Sequence, residues 1–141
     1  MTRLMCMVLL AVVAAGCTPS LSTPVSVVSG TPAPFLRVPE GFRADILVEN
    51  VPNARSMALG EGGTLFIGTR SGGTIYAVRN ALGGAHEVIR YAEGLTMPNG
   101  VAMHDGALYV AEQKRLLRFP DAEANLDRSP REPEVVDPAL P

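Results

Sequence analysis

The chain has 141 residues, 47% of them hydrophobic and 18% charged, with a formal net charge of −2, two cysteines and no tryptophan. It has no basic run and no interleaving of arginines with aromatics, so nucleic acid is not an expected partner.

The N-terminus reads as a segment apart from the fold. Met1-Thr2-Arg3 carries one positive charge, Leu4 to Ala15 is almost wholly apolar, and Ala14-Ala15-Gly16-Cys17 closes the run with small residues. This describes an export signal, too short to span a bilayer stably. The Ala-Gly-Cys junction resembles a bacterial lipobox. That resemblance implies cleavage before Cys17, lipid on Cys17, and a membrane-anchored lipoprotein facing the periplasm or cell exterior. An ordinary secretory signal with a chance cysteine is the alternative. Cys6, the only other cysteine, would leave with the signal, so no intramolecular disulfide is expected. Acyl chains at about 0.8 kcal/mol per buried methylene would hold the protein at a membrane without a spanning helix. Residues 1–16 are thus assigned to a lipoprotein signal peptide and 17–34 to a flexible tether of Ser, Thr, Pro, Val and Gly, with folding expected from near Phe35.

Leu36 to Phe42 leads into Ala44-Asp45-Ile46-Leu47-Val48, which reads as an outermost strand awaiting a partner from further along the chain. Three strands follow at Arg55–Leu59, Leu65–Gly68 and Thr74–Val78, then a fourth at His86–Tyr91. The pattern returns at Asn99–Met103, Ala107–Ala111 and Arg115–Phe119, with Asp105-Gly106 predicting a tight hairpin. Met57 to Val101 is a shift of 44, Leu65 to Leu108 of 43, and Ile75 to Leu117 of 42. A repeat of roughly 40–50 residues holding three or four strands is the spacing of a β-propeller blade. The expected fold is therefore all-β, an incomplete β-propeller over residues 35–120. One blade is full, from about Arg55 to Tyr91, and the second has three strands. Residues 121–141, rich in charge and proline, are expected to be a loop or a frayed end. Two blades cannot close a ring of four to eight, so the chain is expected to be part of a longer protein and inactive alone.

Val38-Pro39-Glu40-Gly41-Phe42, Asn53-Ala54-Arg55-Ser56-Met57-Ala58-Leu59, Gly63-Thr64-Leu65-Phe66-Ile67-Gly68-Thr69-Arg70 and Met97-Pro98-Asn99-Gly100-Val101-Ala102 carry a further resemblance, as does Gly106-Ala107-Leu108-Tyr109-Val110-Ala111-Glu112. Over about residues 36–127 the chain resembles the N-terminal part of the sorbosone and soluble glucose dehydrogenase family, quinoproteins with six-bladed propellers. The resemblance implies oxidation of a sugar or sugar aldehyde outside the cytoplasm, with pyrroloquinoline quinone as electron acceptor and calcium holding it. It also implies a catalytic histidine in a later blade. A propeller without redox chemistry, a ligand-binding or lactonase-type module, remains the second reading.

No catalytic residue and no metal ligand is assigned within this chain. His104 reads as an exposed loop residue and His86 as the opening of an outer strand. Asp105, Glu112 and Asp121 do not have the spacing of a calcium loop. The candidates for cofactor binding are Arg55 and Asn99, which hold equivalent positions at the starts of the two inner strands, flanked by Asn53 and Met97. Arg55 suits a carboxylate and Asn99 a quinone or sugar oxygen. The competing expectation is that Asn99-Gly100 only shapes a turn and Arg55 pairs with a neighbour such as Glu93.

Overall fold

A computed structural model describes residues 31–83, 86–129 and 131–141. The expected signal peptide, Cys17 and most of the tether lie outside these. Among the described residues every regular element is a strand: β1 (Thr31–Pro32), β2 (Asp45–Ile46), β3 (Ala54–Leu59), β4 (Leu65–Thr69), β5 (Ile75–Arg79), β6 (Glu87–Ala92), β7 (Gly100–His104), β8 (Ala107–Ala111), β9 (Leu116–Phe119) and β10 (Glu134–Asp137). β3 to β6 form one antiparallel four-stranded sheet in chain order, β7 to β10 form a second, and β1 pairs with β2 alone. Neither four-stranded sheet is closed.

Two expectations are corrected. The stretch at Ala44–Val48 pairs in part with the chain before it: Ile46 pairs with Thr31 and Asp45 with Pro32, and Ala33 donates to the Ala44 carbonyl at 3.0 Å. Regular structure thus begins inside the expected tether, four residues before Phe35. The second correction concerns residues 121–141. Glu134-Val135-Val136-Asp137 pairs with β9 and completes the second sheet, so it has four strands rather than three. Pro133 and Pro138 bracket this strand without entering it, where a missing amide donor costs the ladder nothing. An Arg118–Glu134 ion pair at 2.7 Å ties its start to β9.

The repeat read from the sequence is written into the backbone. Left-handed residues recur in register: Asn50 with Gly94, Asn53 with Met97, Gly63 with Gly106, and Asn80 with Asp121. Equivalent bonds follow, since Ala81 donates to the Gly63 carbonyl and Ala122 to the Gly106 carbonyl, both at 2.9 Å. The expected hairpin forms, with φ of 47° at Asp105 and 72° at Gly106, the two left-handed positions a type I′ turn requires.

Cross-strand partners share a face, and this sorts the core. Phe66, Ile75, Ala77 and Tyr91 of the first sheet meet Leu108, Val110, Leu117 and Phe119 of the second in one buried cluster. Tyr91 is edge-on to both Phe66 and Phe119, with centroids 5.1 and 5.5 Å apart. Each large side chain buried here contributes roughly 1.5–3 kcal/mol. The opposite face of the first sheet, Ile67, Tyr76 and Val78, is covered by Leu47, Val48 and Val51, while Met57 and Leu59 at its first strand stay exposed.

The crossing from β9 to β10 fastens the two sheets. The Glu123 carboxylate accepts the amides of Gly62 at 2.7 Å and Thr64 at 2.9 Å, in the β3–β4 turn of the other sheet. The Arg131 guanidinium stacks 4.6 Å over the Tyr91 ring and donates to the carbonyls of Tyr91, Asn125 and Leu126. Burial pushes the Tyr91 phenol up to about 12, with Arg131 pulling the other way.

Candidate functional site

In an antiparallel meander the starts of the first and third strands share an end of the sheet with the ends of the second and fourth. This end carries the candidate residues, and a β-bulge shapes it. Ala54 pairs with Thr69, but the register slips between Ala54 and Met57, so Arg55 and Ser56 together oppose Gly68. β3 and β7 approach one another, which brings the Met97–Asn99 turn over β4. Thr69 donates to the Pro98 carbonyl at 3.0 Å, Asn99 donates back to the Met97 carbonyl at 2.7 Å, and the Ser56 hydroxyl donates to the Asn99 carbonyl.

Glycine at position 68 makes this contact physically feasible. A β-carbon there would stand 2.7 Å from the Pro98 oxygen and 2.9 Å from the Asn99 oxygen, both backbone atoms. The turn can sit on β4 only because no side chain intervenes.

Arg55 on β3 and Asn99 immediately before β7 therefore fall at the same end of adjacent sheets, and both are exposed. Among the described residues Arg55 makes no ion pair with Glu93, which accepts from Arg90 at 2.9 Å. Ser56 holds the Asn99 backbone, and among the described residues the Asn99 side-chain amide and the Arg55 guanidinium have no hydrogen-bond partner. Asn53 adopts φ of 60° and its side chain accepts from the Ser71 hydroxyl at 3.2 Å. Met97, at φ of 50°, shapes the turn through its backbone.

Glu112, 5% exposed, is a buried carboxylate at this end whose burial the sequence did not signal. Its carboxylate accepts the Thr96 amide at 2.5 Å and the Arg115 guanidinium at 2.7 and 2.6 Å, fastening the 93–99 segment to the β8–β9 turn. No group of three or more His, Cys, Asp or Glu side chains gathers among the described residues.

The histidines lie elsewhere. His104 is exposed beside Asp105, 3.3 Å away, at the opposite end of the second sheet. His86 packs its Nδ1 against the Asn80 carbonyl at 3.1 Å, beyond the fold's far end. Neither approaches Arg55 or Asn99.

A scan against known protein families and a search of curated proteins both return no match to this chain.

Proposed function

We propose that this chain builds the first two blades of an exported quinoprotein sugar dehydrogenase with a β-propeller fold, held at a membrane by lipid on Cys17. One observation carries the reading. Arg55 and Asn99 are equivalent residues of a structural repeat, side by side at one end of adjacent sheets, with polar side chains turned to no protein partner among the described residues. In a propeller that position faces the ligand-binding channel. Two four-stranded meanders packed face to face, with turns that recur in register, support the blade assignment.

The residues fit pyrroloquinoline quinone, a planar tricarboxylate. Arg55 would hold a carboxylate through paired N–H donors, and Asn99 would donate its amide to a quinone oxygen. The cofactor, when bound with calcium, supplies a two-electron acceptor for sugar oxidation. This chain's part is to bind and orient it from one wall, on strands whose geometry Ser56, Gly68 and Thr69 fix. The sugar's proton acceptor would come from another blade.

The test is titration of the natural gene product with pyrroloquinoline quinone in calcium, followed by the quinone's absorbance. Arg55→Ala and Asn99→Ala should each weaken binding about tenfold. Unchanged affinity in both variants would remove these residues from the site. Failure of the wild-type protein to bind would sink the quinoprotein reading in favour of a non-redox propeller.

A further inference from the structure

The most exposed large apolar side chains among the described residues belong to one loop. Phe35 is 73% exposed, Phe42 72%, Leu36 54% and Val38 43%. All lie in the connection from β1 to β2, where every residue from 34 to 43 is exposed. The loop is nonetheless built. Ala33 donates to the Ala44 carbonyl at 3.0 Å and closes its base, Leu36 donates to the Ala33 carbonyl at 3.1 Å, and Phe42 donates to the Pro39 carbonyl at 3.1 Å. Gly41, at φ of 85°, supplies the left-handed position of a type II turn over residues 39–42. Each turn thus presents one phenylalanine. Beyond β2, Leu47, Val48 and Val51 pack on the first sheet, so the loop is fastened to the folded body.

Folding gains nothing from leaving two phenylalanines, a leucine and a valine in water, and a contiguous apolar surface of this kind marks an interaction. Three observations point to a bilayer. The first is reach. Cys17 precedes Thr31 by 14 residues, which span at most about 50 Å, so a lipid on Cys17 keeps this loop near the membrane. The second is charge. Arg37 and Glu40 balance, and Arg43 pairs with Asp45 at 2.7 Å, so the loop brings no net charge to a partner. The third is shape. Phe35 and Phe42, each more than 70% exposed, project from tight turns rather than line a cleft, and a fluid acyl phase accepts projecting rings without a matching cavity.

We propose that residues 35–42 form a membrane-contact loop that seats Phe35, Leu36, Val38 and Phe42 in the interfacial region of a bilayer and so sets the orientation of the sheets on it. The proposal rests on the reading of Cys17 as the lipid anchor and deepens it. The acyl chains retain the protein, and the four side chains, too few to hold it alone, orient it. Apolar burial rather than charge drives the contact, so zwitterionic lipid suffices and salt does not weaken it.

The test is the fluorescence of Phe42→Trp in the natural gene product, read as the difference from wild type, with phosphatidylcholine vesicles whose acyl chains are brominated or not. Val136→Trp, at a half-exposed site on β10, is the control. Circular dichroism reports that both variants are folded, and mass spectrometry of the N-terminus reads the lipid on Cys17 separately. In acylated protein that sediments with the vesicles, emission from position 42 should shift to the blue and be about half quenched by brominated chains, at low and high salt alike, with position 136 unaffected. Acylated, sedimenting protein with position 42 unquenched overturns the loop contact and leaves the anchor standing. Blue-shifted emission from position 42 before vesicles are added shows the loop covered by protein and also overturns it, as do equal quenching at both positions and quenching lost in high salt. An unacylated Cys17 refutes the anchor; the loop contact falls with it if position 42 is unquenched and survives if it is quenched.

Discussion

Glu123 offers the sharpest test of how the two sheets are joined. Its carboxylate bridges from the β9–β10 crossing to the β3–β4 turn, accepting one exposed amide, Gly62, and one buried amide, Thr64. In Glu123→Ala the Gly62 amide can turn to water, but Thr64, only 3% exposed, is left with an unsatisfied donor. A buried donor without a partner costs about 1–3 kcal/mol, so the loss should be about 2 kcal/mol. For a folded unit near 100 residues that lowers the melting temperature by about 10 °C. Partial burial would by itself raise the Glu123 pKa, yet the two amides outweigh it and hold the carboxyl below its usual 4.5. A carboxyl with a depressed folded-state pKa stabilises above its unfolded value and loses that contribution as pH falls through the folded one. The difference between wild type and Glu123→Ala, read by circular dichroism melts, should therefore be full at pH 6 and shrink progressively below about pH 4.5. A difference under about 0.5 kcal/mol at pH 6, or one that does not change with acid, would refute the bridge.

Gly68→Ala should destabilise by about 1–3 kcal/mol in chemical denaturation, since its methyl meets two backbone oxygens that cannot yield without moving the Met97–Asn99 turn. Arg131→Ala removes the cation over Tyr91 and three carbonyl contacts, so limited proteolysis should cut within residues 121–133 several-fold faster than in wild type; an unchanged rate would show that the crossing is held by other contacts. In alkaline spectrophotometric titration, Tyr91→Phe should remove the step near pH 12, and persistence of that step would show that Tyr91 is not its source. Cys17→Ser should release the protein from membranes and abolish N-terminal acylation in mass spectra; membrane retention by the variant would exclude the lipid anchor.

Much of the sheet order was legible because strong local signals agreed with the repeat. Asp105-Gly106 specifies a type I′ turn, and the apolar runs at 65–68 and 107–111 can be laid over each other, which gives Arg55 and Asn99 equivalent positions in the two copies. The fourth strand of the second sheet was illegible for a compositional reason. Val135 and Val136 favour a strand, but they sit among prolines and charges that dominate the window. β2 was legible as a strand but its partner was not, because that partner is two residues of a Ser/Thr/Pro segment with no period, and a short ladder closed by chain reversal leaves no pattern to read. The bulge at Arg55–Ser56 was equally silent, since an extra residue in one strand appears only when the pairing is seen. Arg55 stands out in the sequence because its counterpart in the second copy, Asn99, is also polar.

The most direct measurement is sugar-dependent dye reduction by the natural gene product, with glucose and sorbosone as substrates, before and after addition of pyrroloquinoline quinone with calcium. The account predicts reduction that requires the quinone and falls about tenfold at limiting quinone in Arg55→Ala. Quinone-independent reduction, or none with the quinone bound, would contradict it.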